Sequence, residues 1–431
     1  MSFGVDSDQG VGLGMKIAFI VSRFPSLSET FVLNQITGLI DRGHEVEIFA
    51  SQRPDLSKVH ADVQKYNLLA KTCFLDVPSS KIRRLLQAIP LLVKNLIKYP
   101  GTTFKAINFF RFGKRAISFR LLFEVKPFLG KEPFDVIHCH FGPNGVLGVS
   151  LREVGAIKGA IVTSFHGYDV NISQKTKGYS QLFKHGDLFT VNTDFTKGRV
   201  IDLGCAREKI VKLPVGLDMK KFVFKLRGIN AGETVRIITV GRLVEKKGIE
   251  YSIKAIDKVI RNHPDWNILY EIAGDGPLGE NLNNCIRKLG LENQVRLLGP
   301  CDQNEVRDLY QEAHIFILSS VTSENGDREG QALVLQEAQA VGLPVLSTLH
   351  NGIPEGVLDG ESGFLVPERD VDALAERLEY LINNPGIWPK MGRSGRKFVE
   401  TNYDLENLND QLVNLYSQLI EGEIQNSTPF S

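Results

Sequence analysis

KIAFIVSRFPSLSETFVLNQITGLIDRGHEVEIFA, residues 16–50, decides the fold class. Residues 16–21 form a short apolar run of the kind a strand buried on both faces requires. Residues 29–43 then place Phe31, Val32, Ile36, Leu39 and Ile40 near helical spacing, and Gly43-His44 ends the helix. Ser28 reads as its N-cap, with Glu29 and Thr30 in the first turn. Residues 46–50 form the second strand. A strand, a helix and a strand in such short compass make a βαβ unit, which implies a parallel sheet with right-handed crossovers.

The same alternation continues along the chain. Strands are expected at 134–138, 160–165, 188–192 and 210–213. Residues 218–232 break the rhythm: they are basic, poorly periodic and hold Gly228, Asn230 and Gly232, so they read as an inter-domain linker. The alternation restarts at 237–240, 268–273, 295–298, 315–318, 344–347 and 364–366, with helical segments between. The expected architecture is α/β, with two Rossmann-like, doubly wound parallel-sheet domains at 15–217 and 233–403. Residues 404–420 form an amphipathic helix, expected to pack back on the first domain, and 421–431 a frayed tail. Residues 1–14 carry two Asp and no Lys or Arg, lack the pattern of a signal peptide, and precede a second methionine, Met15. They are set aside as a disordered leader.

The chain has 431 residues, enough for two or three domains with sizeable cores. Apolar and charged contents of 42% and 23% are ordinary for a globular protein, and the net charge of +1 gives no field for nucleic acid. Five scattered cysteines without CxxC spacing argue for a reducing compartment and against a disulfide framework or a zinc site. No apolar run approaches the ~20 residues of a spanning helix.

One insertion stands apart, at about 80–127. Between Lys81 and Lys126 there are eleven Lys or Arg residues against Glu124 alone, interleaved with Leu, Ile and Phe. Two readings stand: a basic amphipathic surface for an anionic bilayer or lipid phosphate, or a helical layer over the sheet with a solvated basic face.

Chemistry concentrates at strand ends, beyond which ligands of open α/β sheets bind. Gly241-Arg242-Leu243-Val244-Glu245-Lys246-Lys247-Gly248 follows the first strand of the second domain and offers a guanidinium and an ammonium on one loop, suited to phosphate oxygens. Gly274-Asp275-Gly276-Pro277 ends the next strand in a turn that lets backbone approach a ligand. Glu329-Gly330-Gln331-Ala332-Leu333-Val334-Leu335-Gln336-Glu337 sets two carboxylates eight residues apart. A helix is expected to start near Gly330 and aim backbone N–H groups at the loop mouth, where anions bind. A ligand reaching both acids would be elongated, with hydroxyls at its ends and anionic in the middle, as a nucleotide sugar is. His166, in Ser164-Phe165-His166-Gly167, could contact a sugar hydroxyl or a reacting centre, or be structural. Asp370-Val371-Asp372 is a formal DxD, but it opens a helix and reads as a cap rather than a metal site. No other cluster has metal-ligand spacing, and no GxSxG or Walker A loop is present.

Taken together these residues resemble the retaining glycosyltransferases of family 4, which have the GT-B fold of two Rossmann-like domains facing across a cleft. The resemblance covers nearly the whole chain and is strongest at 240–367. It adds Gly342-Leu343-Pro344-Val345, Gly352-Ile353-Pro354-Glu355 and Gly360 to Pro367 to the motifs above. Ser22-Arg23-Phe24-Pro25-Ser26-Leu27-Ser28-Glu29-Thr30-Phe31 and Asp327-Arg328-Glu329 look closest to the bacterial exopolysaccharide branch, of colanic-acid type. The resemblance implies that Arg242 and Lys247 hold the donor diphosphate. Glu329 would bind donor-sugar hydroxyls beside the amides of Gly330, Gln331, Ala332 and Leu333. Glu337 would bind the ribose, and His166 the sugar near the reacting carbon. Gly241, Gly274 and Leu298 would line the donor site, with the base by Leu298-Gly299. It implies no metal and no cofactor, a UDP- or GDP-linked sugar as donor, and a carbohydrate or lipid-linked saccharide as acceptor. It departs from the family where many relatives carry a Gly-Gly pair after the first strand, so the acceptor side stays open; Ser26, Glu29, His140 and Asn144 are its candidates. The implied activity is hexosyl transfer in exopolysaccharide synthesis, with the protein expected in the cytoplasm and peripheral on the inner face of the plasma membrane. The alternatives are a nucleotide-sugar epimerase or hydrolase on the same fold, and an inactive carbohydrate-binding scaffold.

Overall fold

The computed structural model describes residues 14–26, 29–54, 59–171 and 178–422. The expected Ser28 cap and the end of the expected tail lie outside them. Two parallel sheets organise the chain. The first is built from β1 (Lys16–Arg23), β2 (Glu45–Gln52), β3 (Thr72–Phe74), β4 (Val136–His140), β5 (Ala160–Phe165), β6 (Leu188–Val191) and β7 (Ile210–Lys212), in the order β3-β2-β1-β4-β5-β6-β7. The second takes β8 (Val235–Val240), β9 (Ile268–Ala273), β10 (Val295–Gly299), β11 (Ile315–Leu318), β12 (Val345–Thr348) and β13 (Gly363–Val366), in the order β10-β9-β8-β11-β12-β13. These are the two Rossmann-like domains expected. β3 escapes sequence reading because three residues carry no periodicity.

In each sheet the order runs outward from a first strand and then returns to its other side. The reversal falls between β1 and β4 in the first sheet and between β8 and β11 in the second, both parallel pairs. Such a reversal opens a crevice at the strands' carboxyl ends, because the two following loops diverge to opposite faces. The loops after β8 and β11 carry the two strongest sequence motifs.

The central strand β11 is apolar throughout, as burial on both faces demands: Ile315, Phe316, Ile317 and Leu318 have no exposed surface. Contacts group the chain into two compact units, one of residues to 164, 184–188 and from 413 on, the other of 165–183 and 189–412. In the first unit, Tyr416 of the last helix (Leu405–Glu421) meets His138 Nδ1, while His138 Nε2 lies 2.6 Å from Ser164 Oγ. In the second unit, the segment read as a linker is docked. Arg227, 3% exposed, donates to the carbonyls of Gln311, Ala313 and Val341.

Candidate functional site

The site is assembled from second-unit residues, beginning with the loop after β8. Gly248 (φ +59°) presses on the end of β11: a Cβ there would lie 1.8 Å from the Ser319 carbonyl oxygen, and Ser319 Oγ donates to the Gly248 carbonyl at 2.6 Å. Gly274 (φ +146°) packs as closely on β8, where a Cβ would stand 1.9 Å from the Gly241 carbonyl oxygen. Loop 241–248 is thereby pinned between two strand ends. Lys247 runs back across Gly241, its Cε 3.3 Å from where a Cβ would be. Arg242, on the same loop, is exposed and has no ion-pair partner among the described residues.

The loop after β11 brings Glu329 to Lys247. Glu329 Oε1 stands 3.2 Å from Lys247 Nζ and 3.9 Å from Lys246 Nζ, and Lys246 also meets Asp327 at 3.3 Å. Glu329 is 7% exposed. Burial alone would raise its pKa, but Lys247 and Lys246 outweigh burial and hold it below the ordinary carboxylate range. Its backbone is fixed as well. The Glu329 N–H donates to His350 Nε2 (3.1 Å), His350 Nδ1 contacts Glu368 Oε1 (2.6 Å), and Glu368 accepts from the Thr322 N–H (2.8 Å).

The helix expected from Gly330 starts four residues later, at Val334, and runs only to Ala340. Ala332 (φ +47°) is the reason: its left-handed backbone cannot continue a helix. The consequence for anion binding is a different geometry rather than its loss. The N–H groups of Gly330, Gln331, Ala332 and Leu333 donate to no acceptor among the described residues, so four consecutive amides form an open nest beside Glu329. Gln331's side chain takes no part. Its Oε1 accepts from the Val215 N–H (2.6 Å) and its Nε2 donates to the Val215 carbonyl (2.9 Å), so it clamps backbone.

Glu337 lies past the nest, its Oε2 accepting from Tyr310 Oη at 3.0 Å. Burial raises its pKa, against which Tyr310 and Lys247 act. Lys247 therefore influences both acids. His166 reaches the nest by close backbone packing: a Cβ on Gly330 would come 2.8 Å from the His166 carbonyl oxygen. Burial pushes the His166 ring down to about 3, so it is neutral at pH 7. Leu298, at the end of β10, is 36% exposed. The structure thus gathers Lys247, Glu329, Glu337, His166 and the nest. Lys246, Tyr310, His350 and Glu368 were not singled out from sequence, although Lys246 lies inside the Gly241–Gly248 motif, His350 two residues before Gly352 and Glu368 directly after Pro367; Tyr310 adjoins no motif.

Two motif residues are explained by packing. Glu355 accepts from the N–H groups of Asp194 and Phe195 (2.8 and 3.1 Å) and from Lys212 Nζ (2.6 Å), capping the helix Asp194–Asp202. Asp370 accepts from the Ala373 N–H at 2.9 Å, the cap expected of it.

The acceptor candidates lie in the first unit. His140 has no exposed surface; its ring stacks on His138 at 4.5 Å and on Phe19 at 5.7 Å, which makes it a core side chain. Asn144, 5% exposed, donates to the His140 carbonyl (2.6 Å) and Ser22 Oγ (3.1 Å), tying the β1 and β4 loops together. Glu29 is half-buried, and burial raises its pKa against the pull of Arg23. Ser26 accepts from the Glu29 N–H through its carbonyl at 3.4 Å.

Residues 225–398 match Glycosyl transferases group 1, and residues 28–221 match Glycosyltransferase Family 4. The protein named as colanic acid biosynthesis glycosyltransferase WcaL of Escherichia coli is 40% identical over 415 residues, covering 94% of this chain and 100% of that one. The amylovoran biosynthesis glycosyltransferase AmsK of Erwinia amylovora is 37% identical over 413 residues, covering 94% and 100%. Among solved structures, Anabaena HepE in complex with UDP and glucose matches with a TM-score of 0.67 at 18% identity, over 94% of this chain and all of that one. The sucrose-phosphate synthase of Thermosynechococcus elongatus matches at 0.68 and 18%, over 95% and all of that chain. The chain belongs to the family 4, group 1 glycosyltransferases of GT-B fold, alongside the colanic acid and amylovoran biosynthesis enzymes.

Proposed function

We propose that this glycosyltransferase is a retaining hexosyltransferase that moves a hexose from a nucleotide diphosphate sugar to a carbohydrate acceptor, a lipid-linked oligosaccharide of exopolysaccharide biosynthesis. The names of the colanic acid and amylovoran relatives support the pathway class, and the UDP and glucose of the Anabaena structure support the donor class. The observation that carries the reading is Lys247, paired to Glu329 at 3.2 Å beside four unpartnered amides. A cation and a nest together make a diphosphate site, and the flanking carboxylates suit hydroxyl groups at either end.

In this reading Lys247, Arg242 and the amides of 330–333 hold the diphosphate and stabilise the charge that grows on it. Glu329 orients the sugar hydroxyls, Glu337 the ribose, and the neutral His166 ring meets the sugar near its anomeric carbon. The bond from that carbon to the phosphate oxygen breaks, its electron pair passing to the diphosphate. The acceptor oxygen bonds the same face of the carbon, and its proton goes to the departing phosphate oxygen. The enzyme works at the cytoplasmic face of the plasma membrane, where the basic segment 81–126 supports a peripheral position.

Lys247→Ala, Arg242→Ala and Glu329→Ala are each expected to lower kcat/KM on the order of 10²-fold, measured with the donor that gives the largest thermal shift in a screen of UDP- and GDP-sugars. Unchanged turnover in all three overturns the site. Donor consumption with no acceptor present, and no glycoside formed, overturns transfer in favour of hydrolysis or epimerisation.

A further inference from the structure

The helical insertion after β3 exposes an apolar face where a solvated basic layer would show charge. Ten of the eighteen large apolar side chains exposed among the described residues lie between 82 and 117. Six of them are on the helix Lys81–Lys98: Ile82, Leu85, Leu86, Ile89, Val93 and Ile97, between 50% and 81% exposed. At ~100° per residue they fall within one arc of about 120°. The opposite side of the helix is its packed side, with Ala88 and Asn95 buried, and Ala88 belongs to a small core with Leu122 and Phe123. The stripe is therefore not a core face awaiting a partner within the insertion. Phe104, Phe109 and Phe110 extend the exposed apolar surface on the helices that follow.

Charge identifies what covers the stripe. Arg83 and Lys94, both exposed, follow one edge of it at ~100° per residue, and the exposed Lys98 stands in the helix's last turn. The only acid of the segment, Glu124, is 1% exposed and bound by Arg115 (2.7 Å) and Arg120 (2.8 Å), so it neutralises nothing outside. A second copy of the chain would bring the same cations against these, which disfavours self-association. A sheet of anionic headgroups over hydrocarbon matches both the charge and the apolar arc.

We propose that the helix Lys81–Lys98 docks this chain on an anionic lipid bilayer, lying in the interface plane with Ile82, Leu85, Leu86, Ile89, Val93 and Ile97 among the acyl chains and Arg83, Lys94 and Lys98 at the headgroups. No helix among the described residues is long and apolar enough to cross a membrane, so attachment is to one leaflet. Docking does not depend on donor chemistry, and it is read with neither donor nor acceptor present, so either proposal can fail alone.

The test is flotation of the full-length protein with vesicles of phosphatidylcholine alone or with about 30% phosphatidylglycerol. Binding is expected to the anionic vesicles, and Leu86→Ser/Ile89→Ser is expected to lower partitioning at least tenfold at any ionic strength. Lys94→Gln/Lys98→Gln is expected to lower it severalfold at low salt and little at 0.5 M salt. All four positions are exposed, so the thermal unfolding midpoint is expected to stay unchanged in both variants. Equal partitioning of the serine variant and the wild type overturns the proposal. So does a dimer, seen by sedimentation without lipid, that the serine variant abolishes.

Discussion

His350 positions a candidate sugar-binding acid, Glu329, through that residue's backbone. Because the Glu329 N–H donates to Nε2, that nitrogen carries no proton, and Nδ1–H must donate to Glu368. Burial lowers the His350 pKa, which Glu368 only partly opposes, so the single-proton ring that this arrangement needs is the one burial favours. His350→Ala would leave a buried N–H without its acceptor, a cost of about 1–3 kcal/mol, and free the Glu329 backbone to shift. The expectation is a fall in kcat on the order of tenfold with a lower unfolding midpoint. His350→Gln retains an acceptor and should recover part of both. Equal activity of the wild type and the alanine variant would show that Glu329 is held without this contact.

At the scale of elements, the glycine that ends β9 controls the geometry of the loop after β8. Gly274→Ala would drive a Cβ into the Gly241 carbonyl, a backbone atom that cannot swing away. The expected cost is about 3 kcal/mol, at the upper end of overpacking penalties, seen as a lower unfolding midpoint. Gly299→Ala, also at positive φ (+78°) but with nothing within 4 Å of a Cβ, should cost only the ~1–2 kcal/mol of a left-handed alanine. Equal losses would mean that conformation, not contact, selects glycine at 274. These elements also show what sequence can and cannot report. Strands 160–165, 268–273 and 315–318 are legible to the residue, because a strand buried on both faces is a mostly apolar run, here broken only by Thr163, Ser164 and Glu271. Lys247 and Glu329 are legible as a pair because they follow strands that flank the topological switch, where the diverging loops open a crevice that both line. The delayed helix start at Val334 is not legible, since nothing in Gln331-Ala332-Leu333 forbids a helix; the left-handed Ala332 follows Gln331, whose side chain is clamped on Val215, 116 residues away in the chain. Nor is the outward turn of the insertion's apolar face, because periodicity shows that a face exists and not what it meets.

For the whole molecule, burial of histidines sets the response to acid. His44, His166, His314 and His350 all have pKa values lowered from 6.5, with burial the largest cause for each. In the unfolded chain each would bind a proton as pH falls through 6.5, while the folded protein refuses it until its own lower pKa is reached. The unfolded state then holds more protons, so stability falls as pH drops below 6.5. Glu29 and Glu337 act in the other direction: their raised values let the folded state take protons above 4.5, which offsets part of the loss in that window. Glu329, Glu124 and Glu368, held low by their cationic or histidine partners, add a second loss below pH 4.5, as pH falls through their folded values. The unfolding midpoint should therefore be highest near neutrality and decline from pH 6.5 downward. His166, lowered to about 3, should contribute through most of that range. His166→Gln removes its titration, and the pH dependence of stability between 6 and 4 is expected to flatten by about one proton. An unchanged slope would mean that the ring is solvated in the folded protein and free to take a proton, a state in which a cationic His166 would face the sugar.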